Sequence, residues 1–195
     1  MNIEVFHGSA IAPYIGDLAR LRTTVFRAFP YLYDGSPDYE TQYLSTYADS
    51  PESLFVLALD GERIVGASTG MPMTDETAEV QAPFVANGWD PARIFYFGES
   101  VLLPEYRGHG IGVRFFEERE AYAKRLGRFG WTSFCAVERP ADHPRRPEDY
   151  VPLNDFWGKR GYRHHPELNS TFSWRDLDEM TDSAKPMSFW IKEIA

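Results

Sequence analysis

The chain has 195 residues, the length of one ordinary domain, and its 43% hydrophobic and 25% charged residues exclude a disordered chain. A net charge of −9 repels nucleic-acid phosphate, the single cysteine excludes an internal disulfide and a cysteine-rich zinc site, and no apolar run is long enough to span a membrane. Met1–Val5 lacks the basic and apolar regions of a signal peptide, so the expectation is one soluble, cytoplasmic domain over residues 1–195.

Residues 3–6 read as a short strand. Tyr14, Leu18, Leu21 and Val25 then recur at helical spacing, with Pro13 in the first turn and Pro30 ending the helix. Ser36-Pro37 caps a second helix, along which Tyr39, Tyr43 and Tyr47 form an aromatic stripe. Leu54 to Leu59 is a continuous apolar run, expected as a strand covered on both faces. Asp60-Gly61 turns the chain into a returning strand, Arg63 to Ser68. Residues 74–93 are irregular and read as an insertion with a short helix. Ile94 to Leu103 is the next strand and Ile111 to Leu126 the next helix, with Ile111, Phe115, Tyr122 and Leu126 inward. Trp131 to Val137 (strand), Leu153 to Arg160 (short helix) and strands near Ser170–Arg175 and Met187–Ile194 complete the order β-α-α-β-β-β-α-β-α-β-β, a mixed α/β fold.

The segment Leu103-Pro104-Glu105-Tyr106-Arg107-Gly108-His109-Gly110-Ile111-Gly112 places a glycine-rich turn between a strand and a helix. The first N–H groups of a helix lack intrahelical partners and its dipole favours an anion, so this turn can cradle a pyrophosphate; a turn shaped by packing is the alternative. It has neither the Gly-Lys-Ser/Thr of a P-loop nor the G-x-G-x-x-G of a dinucleotide fold.

The segment resembles the acetyl-CoA loop of the GNAT superfamily of N-acetyltransferases, whose pattern is Arg/Gln-x-x-Gly-x-Gly/Ala, filled here by Arg107, Gly110 and Gly112. The element order resembles that family's mixed central sheet flanked by helices, and Phe156-Trp157-Gly158-Lys159-Arg160-Gly161-Tyr162 is similar to its late helix motif. The resemblance implies an acyltransferase that uses acetyl-CoA as co-substrate and no metal, with direct attack by a small-molecule primary amine in a ternary complex. Acetyl-CoA would lie in a splay between strands 94–103 and 131–137. Backbone groups of Arg107, Gly108, His109, Gly110, Ile111, Gly112 and Val113 would hold its pyrophosphate, while Val101, Leu102 and Leu103 would pair with its pantetheine and polarise the thioester. Arg107 and Arg114 would add positive charge.

An amine is mostly protonated near neutral pH, so a general base is needed. Glu99 is the candidate: in a regular strand it shares a face with Phe97 and Val101, whose apolar surroundings favour a protonated carboxyl. An ion-paired or exposed carboxylate is the alternative reading. Tyr96 and Ser100 share the opposite face and serve if the register is reversed, and Glu138 is a further carboxylate. Trp157 falls where the family's proton-donating tyrosine would lie, leaving Tyr150, Tyr162 or water to protonate the thiolate. That departure keeps open a non-catalytic acyl-CoA-binding or regulatory module. Cys135 reads as a buried small hydrophobe, and adjacent His164 and His165 face opposite ways.

In the family the first two helices and their connection wall the acceptor pocket, which points to Tyr31, Tyr33, Asp34, Asp38 and Tyr39. Aromatic faces with carboxylates suit a cationic amine; aromatics in the core with a solvated acidic face are the alternative. The insertion 74–93, with Phe84, Val85 and Trp89, is either a lid on this pocket or a surface loop. Nucleic-acid and membrane partners are not expected, and a homodimer is one arrangement the sequence leaves open.

Overall fold

The structure, a computed structural model, describes residues 1–194. In chain order the elements are β1 (Asn2–His7), α1 (Ile15–Phe26), α2 (Pro37–Asp49), β2 (Leu54–Asp60), β3 (Arg63–Pro72), α3 (Ala78–Ala86), β4 (Ile94–Tyr96), β5 (Ser100–Leu102), α4 (Ile111–Leu126), β6 (Trp131–Val137), α5 (Asn154–Gly158), β7 (Arg163–Trp174) and β8 (Ser183–Glu193). The strands form one sheet in the order β1-β2-β3-β4-β6-β8-β7, with β5 paired to β3 alone. Every pairing is antiparallel except β4 with β6. Among the described residues, no helix is long and apolar enough to cross a membrane.

Local chemistry accounts for most of these elements. Ser36 accepts the Tyr39 N–H at 3.2 Å and starts α2, with Pro37 in the first turn. Gly61 takes φ +61° in the β2–β3 turn, where a side chain would be strained. The apolar run of β2 is buried from Leu54 to Leu59, between helices on both faces. In α1 the expected stripe holds, with Leu18 and Leu21 fully covered and Tyr14 and Val25 half-buried. The tyrosine stripe of α2 holds at one end: Tyr47 is buried, Tyr43 half-buried and Tyr39 exposed.

Two features differ from expectation. The insertion packs against the sheet instead of standing off it as a surface loop. Phe84 is fully buried with its edge on Phe189 at 5.1 Å, and Trp89 stands edge-on to Trp131 at 5.4 Å. Together with Met73, Val80 and Leu168 they make a second apolar cluster against the sheet, where each large side chain contributes about 1.5–3 kcal/mol. The second difference is that strand 94–103 is broken. Gly98 donates its N–H to Thr69 O at 3.2 Å while Thr69 donates to Glu99 O at 3.1 Å, so two residues face one and the strand bulges. Gly98 is required there, because a Cβ would lie 2.8 Å from Thr69 Oγ1 and closer still to the Tyr47 hydroxyl.

The bulge opens the sheet. Before it, β4 is held by β3 on one side and β6 on the other, ending with the Phe97 N–H on Ser133 O at 2.8 Å. Past it, β5 keeps β3 and has no pairing to β6. A wedge therefore lies between β5 and the second half of β6.

Candidate active site

Strand β5 leads through a turn at Pro104–Tyr106 into a two-glycine step before α4. Gly108 and Gly110 both take φ +81°, a left-handed conformation costing other residues about 1–2 kcal/mol. The Gly110 carbonyl accepts the N–H groups of Val113 and Arg114 at 3.0 and 3.1 Å, and Arg107 donates its own N–H to Pro104 O at 3.1 Å. Among the described residues, the N–H groups of Gly108, His109, Gly110, Ile111 and Gly112 have no backbone acceptor. The cradle expected over Arg107–Val113 therefore narrows to 108–112, at the positive end of a 16-residue helix. A Cβ on Gly110 would meet nothing within 4 Å among the described residues, so this side is open, whereas one on Gly112 would lie 3.3 Å from the Phe156 ring of α5, a tight contact. Five free donors on one open turn fit a diphosphate. Arg107 turns its guanidinium onto Leu102 O at 3.2 and 3.3 Å, and Arg114 pairs with Glu117 and Glu118 at 3.3 and 2.7 Å, which offsets the charge expected from it.

The wedge has its own donors. In an antiparallel ladder alternate residues bond the same neighbour. The Thr69–Glu99 and Leu103–Val65 bonds therefore commit residues 99, 101 and 103 to β3 and turn the backbone groups of Ser100 and Leu102 toward the wedge. This corrects the expected donor set: Val101 and Leu103 are spent, Leu102 is available, and Ser100 joins it. The Glu99–Ser100 peptide is also gripped from behind. Buried Arg119 of α4 donates to Thr69 O, Glu99 O and Ser100 Oγ at 3.3, 3.1 and 2.9 Å, with its guanidinium 4.1 Å from the Phe97 ring centroid. Burial lowers its pKa to about 10, which leaves a cation near neutral pH. Sequence reasoning missed Arg119; its signal is helical phase, four residues after Phe115 and three before Tyr122.

On the opposite face of the sheet lies a buried charged cluster. Glu99 is buried, but its surroundings are not the apolar ones expected. The added residue of the bulge leaves Phe97 on the α4 side, against Phe116 and Tyr162, and turns Glu99 toward α1. Arg22 Nη1 lies 2.7 Å from Glu99 Oε2, out of line for a hydrogen bond, and that oxygen has no other partner among the described residues. The Arg22 Nε donates to Glu40 Oε2, and the rings of Tyr43 and Phe26 cover the guanidinium at 4.5 and 5.0 Å. Burial opposes the charge on Arg22, but Glu99, Tyr43 and Glu40 outweigh it and hold its pKa above arginine's ordinary value. The Arg22 guanidinium thus lies between two buried carboxylates, with the Arg119 guanidinium behind the Glu99 peptide. The same shift separates the two expected fallback residues: Tyr96 hydrogen-bonds Cys135 Sγ at 3.1 Å, while Ser100 Oγ faces α4. Glu138 is exposed at the end of β6.

The expected acceptor residues divide. Tyr31 is half-buried, and burial raises its pKa. Tyr33 is half-buried, and burial, with Glu40 nearby, again raises its pKa. The remaining three are not brought to the cluster. Asp34 is taken by Arg27 and Arg175 at 3.3 and 2.7 Å, and Asp38 and Tyr39 stand exposed on α2. Tyr150 sits edge-on to Phe29 at 4.7 Å, and its pKa is raised by burial. Tyr162 is corrected as a proton donor: its hydroxyl is buried against Thr132 Oγ1 and Glu120 at 2.9 and 3.1 Å. Trp157 packs on Phe134 and Trp190, both at 5.1 Å. His164 and His165 do face opposite ways, onto Trp190 and Trp89. A separate shallow cavity of about 300 Å³ lies between Asp17, Arg20, Thr24, Glu62 and Ile64, and reaches the site's strand at Leu103.

A family model described as "Acetyltransferase (GNAT) family" matches residues 18–147. No curated protein sequence matches. Among solved structures, an N-acetyltransferase from Staphylococcus aureus Mu50 aligns over 100% of both chains at TM-score 0.62 and 10% identity. An aminoglycoside 6'-N-acetyltransferase complexed with coenzyme A aligns over 100% of this chain and 98% of its own, at TM-score 0.61 and 16% identity. One described as a putative acetyltransferase from Acinetobacter baylyi ADP1 aligns over 98% and 92%, at TM-score 0.63 and 11% identity. At these identities the likeness is one of fold.

Proposed function

Because the chain belongs to the GNAT acetyltransferase family, we propose that it is an acetyl-CoA-dependent N-acetyltransferase acting on a cationic small-molecule amine. The observation that carries this reading is the junction of an open cradle at 108–112 with a wedge whose far face holds the buried Glu40–Arg22–Glu99 cluster. The whole span from β1 to β8 acts as one acyltransferase unit. Acetyl-CoA supplies the thioester. The N–H groups of residues 108–112 bind its diphosphate, and those of Ser100 and Leu102 face the wedge, where an oxyanion develops. Arg119, bonded to the carbonyl of the Glu99–Ser100 peptide, polarises the Ser100 N–H and makes it a stronger donor. Glu99 and Glu40 attract the ammonium form of the acceptor, and Tyr31 and Tyr33 border it. Tyr150 gives the leaving thiolate its proton: a tyrosine whose pKa is raised stays protonated near neutral pH, while a thiol titrates near about 8.5.

Calorimetry with acetyl-CoA, followed by an amine panel read by free-thiol release, tests this reading. Binding with turnover on cationic amines is expected, with weaker amine binding at high salt. Binding without turnover on any amine supports the non-catalytic alternative, which Trp157 in place of a tyrosine favours. Failure to bind any acyl-CoA refutes both.

A further inference from the structure

Two carboxylates are buried beside the bulge, and they differ in their partners. Glu99 has Arg22. Glu76, which follows the short turn Met73–Asp75 of the insertion, has no Lys, Arg or His within ion-pair distance among the described residues. Its Oε1 accepts the Tyr47 hydroxyl and its Oε2 accepts the Thr77 N–H at 3.0 Å. Gln81 Nε2 donates to the Glu76 carbonyl at 2.8 Å and fixes the backbone that carries it. Tyr47 lies in turn 3.2 Å, oxygen to oxygen, from the Tyr43 hydroxyl.

The chemistry of these groups orients the chain. A carboxylate can only accept, so Tyr47 must donate its single hydroxyl proton to Glu76. The Tyr47 oxygen must then accept from Tyr43, which leaves the Tyr43 oxygen with lone pairs and no proton to give. Tyr43 is the half-buried member of the three, whereas Tyr47 and Glu76 are enclosed. The chain thus ends in an acceptor oxygen at Tyr43, whose ring lies under the Arg22 guanidinium, and in a carboxylate without an ion-pair partner at Glu76.

We propose that Glu76 is the terminal acceptor of the amine's proton, reached through the hydroxyls of Tyr43 and Tyr47, with Tyr43 as the group that meets the acceptor. This rests on the amine-acetylation reading above. The ammonium gives one proton to Tyr43 Oη, Tyr43 gives its own to Tyr47 Oη, and Tyr47 gives its own to Glu76 Oε1. The ammonium becomes a neutral amine and the carboxylate a carboxylic acid. The amine lone pair then forms the C–N bond, the C–S bond breaks, and a second proton from the nitrogen is balanced by the proton the departing thiolate receives. Glu76 afterwards returns its proton to solvent. Burial raises the Glu76 pKa above the usual carboxylate value, which suits a group that must take a proton near neutral pH. The groups that face it are Tyr43 and Tyr47 from α2, Arg22 from α1, Tyr96 and Glu99 from the central strand, and Cys135 from β6. Asp75 beside it is held by Ser50 Oγ at 2.5 Å. Glu99, already paired, is left to bind the ammonium.

The test is the pH profile of kcat/KM for wild type, Tyr43→Phe and Glu76→Gln, with melting temperature measured beside it. Glutamine keeps an oxygen for Tyr47 but takes no proton. Wild type should rise and then level off below the amine pKa. Each variant should be slower by about 10²-fold at pH 7 and should rise tenfold per pH unit toward the amine pKa near 10, because it must wait for free amine. A wild-type plateau in a folded variant, or a loss equal at every pH, overturns the relay and leaves the acetyltransferase reading standing. If Glu76→Gln does not fold, Tyr43→Phe decides alone. No turnover by wild type on any amine overturns both.

Discussion

Replacing Arg22 by methionine keeps most of the volume of its stem and deletes the charge shared by Glu40 and Glu99. Both carboxylates are buried, with side-chain exposures of 1% and 4%, and the guanidinium is 10% exposed, so little solvent screens the loss. Removing one partner of a buried ion pair costs about 3–5 kcal/mol, and here it strands two carboxylates. In a chain of this size each kcal/mol lowers Tm by about 2–4 °C, so the expected drop is about 6–20 °C. Urea unfolding followed by circular dichroism measures the cost directly. The control is a triple variant, Arg22→Met with Glu40→Gln and Glu99→Gln. It removes all three charges and should recover at least half of the loss, because no uncompensated charge remains. A cost below about 1 kcal/mol for Arg22→Met is the figure typical of solvated pairs. That result would refute the desolvated cluster and, with it, the electrostatic case for a cationic acceptor.

Gly110→Val should raise the acetyl-CoA Kd by about tenfold or more, because relaxing the left-handed strain of a branched residue moves the N–H donors of the cradle and the side chain stands where the diphosphate approaches the backbone. Unchanged affinity by calorimetry, in a variant that is still folded at the assay temperature, would remove the cradle from the mechanism. Burial pushes the Cys135 thiol up to about 12, so the thiolate appears only as pH rises toward that value. At pH 8 about one molecule in 10⁴ carries it, and iodoacetamide should label Cys135 about 10³-fold more slowly than a free thiol of pKa near 8.5. Labelling at the free-thiol rate would refute its burial against Tyr96.

On the proposed reading, the two carboxylates beside the bulge divide two tasks. Glu99 lies against the Arg22 guanidinium, whereas Glu76 sits against the hydroxyl of Tyr47, which Tyr43 follows. Both depend on Gly98. Without a side chain there, Tyr47 reaches the bulge, and the same bulge turns Glu99 to face Arg22.

Periodicity and loop chemistry were legible in the sequence because they depend on neighbours along the chain. The stripes of α1 and α4, the covered strand β2, the Asp60-Gly61 turn and the glycine loop at 108–112 all follow from spacing, capping and the freedom of glycine to take positive φ. The family resemblance rested on those same local signals. What the chain could not reveal on its own depends on partners distant in sequence. A strand from Ile94 to Leu103 looks continuous, and the bulge at Gly98–Glu99 exists because Thr69 and Tyr47 meet it from other elements; one added residue then reverses every later side chain. The charge on Glu99 is answered by Arg22, and Asp34 is consumed by Arg175 from the far end of the chain. Glu76 reads as one more acid in an irregular insertion until Tyr47 and Tyr43 are placed above it. Local order is set by the backbone's own preferences, but the partner of a buried polar group is chosen only when distant segments close around it and exclude water.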